Sequence, residues 1–236
     1  MCIVRGYQQF CPIAKAAEVV ANRWTPLILR ELMANNRTFN EIHRGVPLIS
    51  KAVLVTRLQE LEHQGIIAQR RRDGGRPEYW LTPAGEALRG VVSALGHWGL
   101  MHARDTILPT DLDPTYLVWG LRKRTILDAL PKHRVVIRFE FTGVPANRTK
   151  YRILWLVLER ASADVCLKDP GYDIDLVFRG NIADFVKVYL GHVPWRAAVG
   201  KCITVEGDTS LAKRVPSWIR LDKIVGRDFP VVRGAA

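Results

Sequence analysis

Ala52, Thr56 and Gln59 are small or hydrogen-bonding side chains, and a helical step of about 100° per residue puts them opposite Leu54. Side chains of this kind can approach base edges in the major groove of a duplex. Lys51 and Arg57 lie on the flanks of the same helix, within reach of phosphates, and Ser50 stands at its start. Arg70, Arg71, Arg72 and Arg76 follow on a predicted hairpin, where guanidinium groups can grip phosphate or enter a minor groove. A charge run is also the ordinary composition of a solvated face. Three consecutive arginines on a strand alternate faces, so at least one needs another environment.

Other chemistry-bearing residues lack a partner set. His97 and His102 are five apart, not the four that share a helix face, and no carboxylate completes a ligand set, so no metal is expected. Asp173 and Asp175 share a strand face, but no acid or nucleophile sits at motif spacing. No Ser/His/Asp arrangement, phosphate loop or Gly-x-Gly-x-x-Gly occurs, and no cofactor is expected. The four cysteines (Cys2, Cys11, Cys166, Cys202) form no Cys-x-x-Cys pair, which fits a reducing compartment, the cytoplasm, better than a disulfide scaffold.

The elements that must position the basic residues are readable from their punctuation. Cys11-Pro12 starts a helix with Ile13, Ala16, Ala17 and Val20 on one side, and Asn22-Arg23-Trp24 breaks it. Thr25 caps the next helix with Pro26 at its first position, and Leu27, Ile28, Leu29 and Leu32 form its core face. Thr38 and Glu41 have capping-box spacing. Gly45, by positive φ, and Pro47 end that short helix. Ser50 caps the helix that carries Leu54, Leu58 and Leu61 as a buried stripe, and Gly65 ends it. Two extended runs joined at Asp73-Gly74-Gly75 form a hairpin. Helix, tight turn, helix and arginine-rich hairpin is the order of a winged helix-turn-helix. Thr82-Pro83 then starts a long helix to about Arg104, with Leu88, Val91, Val92, Leu95, Trp98 and Met101 on an apolar stripe. That stripe is either core within one chain or a seam between two. A small winged domain leaves little core for so long an apolar helix, which favours the seam.

Residues 107–114 are rich in Pro and Asp and read as a linker. A helix from Thr115 to about Leu130 follows, with Leu117, Val118, Leu121, Ile126, Leu127 and Leu130 as its apolar set. Short β-rich runs come next, at 135–142, 151–158, 163–167 and 174–179. A helix capped by Asn181, a short helix at 195–199, a strand at 202–206 and a last helix from Ser210 to about Trp218 complete an α+β pattern. The domains expected are 1–106, a linker at 107–114, and 115–236.

The chain has 236 residues and a net charge of +12, which suits a polyanion partner. Residues 1–105 hold 14 Lys/Arg against 9 Asp/Glu and the remainder 21 against 14, so net charge alone does not locate a nucleic-acid face. No run of 18 apolar residues exists and the start has no apolar signal core, so no membrane partner is expected.

Residues 10–100 resemble the HxlR family of winged-helix transcriptional regulators. The matching residues include Cys11-Pro12, Trp24, Leu27 to Leu32, Phe39-Asn40-Glu41-Ile42, Pro47, Ile49-Ser50 and Leu54. They continue through Arg57-Leu58, Leu61, Gly65-Ile66, Pro77-Glu78-Tyr79 and Leu81 to Gly85. Trp80 intervenes where the family's usual wing has a tyrosine before the leucine, which leaves the strand register open. The resemblance implies a mainly α fold with a β-hairpin wing. It also implies a homodimer through the Thr82–Arg104 helix and the N-terminal helix, and binding to pseudo-palindromic double-stranded DNA. Cys11 aligns with a cysteine that some members use for redox sensing, although free cysteines are more often buried and inert.

Residues 115–225 look like a sterol carrier protein-type domain, through Asp173 to Phe178, Tyr189-Leu190-Gly191, Trp195 to Ala198, Gly200 to Gly207 and Trp218. Domains of this type can enclose an apolar tunnel, here lined from Val177, Phe185, Val188 and Leu190, or those residues simply fill a core. Three function classes follow. The leading one is a DNA-binding regulator, tuned by an apolar small molecule. The second is a lipid-like carrier whose winged domain mediates protein contact. The third, an enzyme, lacks any catalytic constellation.

Overall fold

In the computed structural model, which describes residues 6–71, 75–103 and 107–220, the caps set the first helices. α1 (Pro12–Val20) buries Ala14 and Val20, while Ile13 is 78% exposed and Ala16 also faces outward. The expected Ile13/Ala16 face is therefore corrected: alanines fill two adjacent stripes, and periodicity alone cannot choose between them. α2 (Thr25–Met33) starts at Thr25, one residue earlier than expected. Trp24, with φ 78°, is the N-cap and Thr25 is the first helical residue. Ile28, Leu29 and Leu32 are buried, but Leu27 points away from the core.

α3 (Phe39–Gly45) has its full capping box: Glu41 N–H donates to Thr38 Oγ1 (3.3 Å) and Thr38 N–H donates to Glu41 Oε2 (2.9 Å). Gly45 is not a positive-φ stop; it is the last helical residue. Glycine is needed there because an added Cβ would lie 2.0 Å from the Glu31 carboxylate. Glu31 is 1% exposed. It accepts from Arg30 Nε (3.0 Å) and Asn36 Nδ2 (2.5 Å), and Arg30 Nη2 donates to the Gly45 carbonyl (2.7 Å). The buried carboxylate, with its hydrogen bonds satisfied, thus holds the Arg30 side chain that ties α2 to α3.

α4 (Lys51–His63) is capped by Ser50, whose Oγ accepts from Val53 N–H at 3.2 Å. Gly65, at φ 70°, turns the chain. Gly65 N–H donates to Glu62 O and Ile66 N–H to Leu61 O, both at 2.9 Å, the paired bonds of a Schellman ending. β1 (Ile67–Arg71) and β2 (Pro77–Leu81) pair antiparallel from Ile67↔Leu81 to Arg71↔Pro77. Of the expected turn, Asp73 and Gly74 lie outside the described residues. A bridge Thr38↔Glu78 fastens β2 to the chain entering α3.

The helix expected from Thr82 to Arg104 is two: α5 (Pro83–Ala87) and α6 (Arg89–His102), with Arg104 outside the described residues. At Leu88 the N–H bonds three residues back, to Gly85 O, before Val92 N–H resumes the four-residue pattern. Gly85 is pressed against the Ile66 carbonyl, where a Cβ would come to 2.2 Å, so the first turn is held on the chain entering the wing and the helix restarts beyond it.

The chain divides into two compact units between His97 and Trp98, within α6. The first has a core of Ile28, Leu32, Ile42, Val46, Ile49, Leu54, Leu58, Leu61 and Ile67.

In the second unit the stretch expected as a linker contributes structure. It holds a 3₁₀ turn at Pro109–Asp111, Leu112 is buried in the core, and Asp113 caps α7 (Pro114–Lys123). Asp113 is also ion-paired with Arg148 at 2.9 Å, both side chains 8% exposed. α7 stops at Lys123 rather than near Leu130. Thr125 bridges Ile219, and Ile126 N–H donates to Trp218 O (2.7 Å), so a sequence-distant strand-like contact takes the backbone a longer helix would use. Leu127–Ala129 is a 3₁₀ turn.

β3 (Val135–Thr142), β4 (Ile153–Glu159), β5 (Ser162–Cys166), β6 (Leu176–Asn181) and β7 (Ile203–Gly207) form one sheet in the order β5-β4-β3-β6-β7, with β3 and β6 parallel. α8 (Ile182–Tyr189) and α9 (Trp195–Ala198) connect β6 to β7, and α10 (Thr209–Trp218) follows. Alternation sends Ile137, Phe139, Phe141, Leu154, Leu156 and Phe178 into the core with α7 and α8. The core is an aromatic cluster: Phe139–Phe178 at 5.3 Å and Phe141–Phe185 at 5.1 Å meet edge to face. The opposite sheet face carries Glu140 between Arg138 and Arg179, with Arg179 Nε 2.5 Å from Glu140.

Candidate nucleic-acid interface

α4 has two distinct sides. Leu54, Leu58 and Leu61 are buried, at 0–2% exposure. Ser50, Lys51, Ala52, Thr56 and Gln59 are all exposed. Burial of the leucines fixes the helix rotation, so the exposed set is presented by the packing of the core. Thr56 Oγ1 donates to the Ala52 carbonyl (3.1 Å), which leaves its oxygen as an acceptor. Arg57 is half-buried and paired with Glu60 at 2.5 Å, so it is an ion-paired flank rather than a free cation. Val53 and Val55 are 39% and 44% exposed on the same helix. Sequence reasoning passed over them because apolar residues read as core. Exposed β-branched methyl groups beside Thr56 suit contact with a thymine methyl.

On the wing, Gln69↔Tyr79 and Arg71↔Pro77 share one face, and Ala68↔Trp80 and Arg70↔Glu78 share the other. Tyr79 packs against the first unit's core. Burial pushes its phenol above the ordinary value and Glu62 adds to this, while Arg71 and a hydrogen bond with Gln69 act in the opposite sense. Trp80 therefore faces the other way, which resolves the register. Arg70, Arg71 and Arg76 are exposed, and Arg72 lies outside the described residues. Arg37, on the chain between α2 and α3, also reaches the Trp80 ring. It was missed because it is far from the wing in sequence.

Cys11 is half-buried at the start of α1 with no side-chain cap bond, and Lys15 nearby is paired with Glu18 at 3.1 Å. Among the described residues no group of three or more His, Cys, Asp or Glu is placed to hold a metal, and no helix is long and apolar enough to cross a membrane.

The expected tunnel residues are not brought together. Phe185 and Val188 enter the core, but Val177 lies on the sheet face opposite Phe178, and Leu190 is the half-buried cap of α8. The space around Phe185 and Val188 is about 10 Å³, room for no more than a water. The parity of Val177 was hidden by the continuous apolar run Leu176-Val177-Phe178. A larger space, an open groove of about 690 Å³, lies elsewhere in this unit, between α9, β7 and α10. Trp195, Val199, Val205, Ala212 and Pro216 line it, with Arg196 and Lys213 beside them.

The family model of the HxlR-like helix-turn-helix matches residues 19–106. The HTH-type transcriptional regulator YvaP of Bacillus subtilis (strain 168) is 34% identical over 111 residues, which are 44% of this chain and 96% of that protein. An HTH-type transcriptional regulator of Methanothermobacter thermautotrophicus is 31% identical over 97 residues, 40% of this chain and 74% of that one. Among solved structures, the transcriptional regulator YodB of B. subtilis in its reduced form is 30% identical, covering 41% of this chain and 98% of that one, with a TM-score of 0.36.

Proposed function

This chain belongs to the HxlR-like helix-turn-helix family of transcriptional regulators, and from that premise we propose that it acts in the cytoplasm as a homodimer on a pseudo-palindromic double-stranded DNA site. One observation carries the reading: α4 is locked by Leu54, Leu58 and Leu61 so that Ser50, Lys51, Ala52, Thr56 and Gln59 are exposed beside an arginine-bearing wing. α4 enters the major groove, Gln59 and Thr56 read base edges, and Arg70, Arg71 and Arg76 contact phosphate. Arg72 joins them by sequence. The second copy covers the exposed apolar row of α6, Val91, Leu95, Trp98 and Met101, together with Phe10 and Ile13 of the N-terminal segment.

The test is an electrophoretic shift with the DNA upstream of the protein's own gene, at several salt concentrations. Affinity should fall steeply with salt. Gln59→Ala should cost about 1–3 kcal/mol on that DNA and little on random DNA. Arg71→Ala should weaken both and flatten the salt dependence. Equal effects of the two substitutions on both DNAs would mean that α4 does not read bases.

The second unit supports an additional reading, in which an apolar ligand in a sterol carrier-like domain tunes DNA binding. Its support is the groove at Trp195, Val199, Val205 and Pro216, a volume ordinary for small-molecule sites. Arg196 and Lys213 favour a ligand with an anionic head. The DNA dissociation constant with and without bound dodecanoate decides it, because a ligand moves the equilibrium only by binding two states unequally. Identical constants with dodecanoate bound would remove the tuning and leave a domain that carries a ligand without acting on DNA binding; absence of dodecanoate binding would remove the ligand altogether.

A further inference from the structure

Trp80 gathers cations from two separate segments. The Arg37 guanidinium carbon is 3.1 Å from the Trp80 ring centroid, and that of Arg70 is 5.0 Å from the same centroid. Arg70 comes from β1, beside Ala68, the cross-strand partner of Trp80. Arg37 comes from the chain between α2 and α3, which is fastened to β2 by Tyr79 N–H donating to Arg37 O (2.8 Å) and by the Thr38↔Glu78 bridge. The backbones beneath both arginines are therefore fixed relative to the ring.

Among the described residues neither Arg37 nor Arg70 is held in a salt bridge, although the Glu78 carboxylate lies across the strand pair from Arg70. Arg37 Nη2 donates to Asn35 Oδ1 (2.9 Å), a neutral acceptor. The Glu41 carboxylate is held by the backbone N–H groups of Arg37 and Thr38 (3.1 and 2.9 Å) and by the Thr38 hydroxyl. Glu78 accepts from Trp80 Nε1 (3.2 Å), so one carboxylate orients the indole that both guanidinium groups approach. Two like charges on one ring are favourable chiefly when an anion shares them. Their stacking on the indole face restricts the arginine rotamers before that anion arrives.

We propose that Trp80 is a platform that presents Arg37 and Arg70 as one clamp for a DNA phosphate, so that Arg37 contacts DNA in addition to α4 and the wing. Trp80 is the positioning residue, and the guanidinium groups make the contact. The inference rests on the DNA-binding reading and adds a contact which that reading does not require.

The experiment measures the salt dependence of DNA binding by the full chain, for wild type, Arg37→Ala, Trp80→Ala, Trp80→Phe and the Arg37→Ala/Trp80→Ala double variant. In the proposed dimer Arg37→Ala removes one phosphate contact from each protomer and should lower the salt slope by about 1.8, so the affinity lost between about 50 and about 200 mM salt shrinks by about 12-fold. Trp80→Phe keeps an aromatic face and should retain the wild-type slope. Trp80→Ala should weaken binding and, once Arg37 is already absent, should weaken it much less, because the two act as a unit. Melting temperatures of all variants expose a purely structural effect of Trp80→Ala, and Arg37→Ala leaves the core untouched. A wild type that binds DNA with a steep slope, beside an Arg37→Ala slope that does not change, overturns the clamp alone. A wild type with no DNA binding overturns the clamp and the reading beneath it.

Discussion

The two units solve the same packing problem with different materials. Among the described residues the first unit's core is nine aliphatic side chains, whereas the second assembles 25 buried residues around an aromatic cluster. The smaller core is supplemented by directional bonds: the Thr38/Glu41 box, the Ser50 cap, and the Arg30–Glu31 pair, in which Glu31 accepts from Asn36 and Arg30 donates to the Gly45 carbonyl. Directional bonds fix angles, which a helix-turn-helix needs if α4 is to meet a groove. Aliphatic packing alone tolerates repacking while volume is kept. The first unit also contributes Val91 and Leu95, 45% and 49% exposed, to an uncovered row on α6. This unburied apolar surface is what the proposed second copy would cover.

The sharpest way to break this comparison is to remove the central piece of each core. Phe139→Ala should destabilise the second unit by about 3–5 kcal/mol, because it leaves a cavity among Phe178, Phe141 and Phe185. Glu31→Ala should cost up to about 3 kcal/mol, toward the low end for a broken buried pair, since Arg30 is 23% exposed and keeps access to water. The two should differ in kind. Glu31→Ala should lower DNA affinity out of proportion to its stability loss, because α2 and α3 lose their fixed angle, and Phe139→Ala should not. Urea denaturation with DNA binding measured on the folded fraction separates them. Unaltered affinity in Glu31→Ala would mean that aliphatic packing alone fixes the angle.

Short-range signals were legible and long-range ones were not. Thr38/Glu41, Ser50 and Gly65 act on neighbours within a turn, and each does locally what its residue type dictates. The strand runs of the second unit were legible for the same reason. Glu31 was invisible because a glutamate in a helix reads as solvent-facing, and the need for Gly45 depends on that burial. Leu27, Ile13, Val53 and Val55 were opaque because an apolar side chain does not say whether anything covers it. The early end of α7 depends on Ile219 and Trp218, nearly a hundred residues away. Of the candidate interface, the α4 face was readable from the opposite leucine stripe, while the meeting of Arg37 with Trp80 required the strand register.

A second prediction tests the uncovered row. Leu95→Lys/Trp98→Lys places charges where a second copy would pack, and should raise the dimer dissociation constant at least 30-fold, as loss of about 2 kcal/mol or more at an interface centre does. Because both positions are solvent-exposed in one copy, at 49% and 62%, stability of the monomer should change little. Light scattering reads the mass, and the same variant should lose preference for the full two-half-site DNA over a single half-site. A dimer of unchanged affinity would place the seam elsewhere.

The smallest expected effect concerns Ser50, which has two roles to separate. Its Oγ accepts from Val53 N–H at 3.2 Å, so it caps α4, and it stands exposed at the helix end proposed to approach the DNA. Ser50→Ala removes the cap and should cost about 1 kcal/mol of stability. Ser50→Asp retains a capping oxygen and adds an anion that the helix N-terminus favours, so stability should hold or rise slightly. The same carboxylate would face phosphates and weaken DNA binding. The pair therefore moves stability and affinity in opposite directions: alanine lowers stability with a small change in affinity, and aspartate keeps stability while lowering affinity. The affinity loss in Ser50→Asp should be largest at low salt, where phosphate repulsion is least screened. Thermal melts and DNA titrations of both variants at two salt concentrations test this. If Ser50→Asp bound DNA as tightly as wild type at low salt, the N-terminus of α4 would not approach the phosphate backbone, and its docking would have to be through the middle of the helix at Thr56 and Gln59.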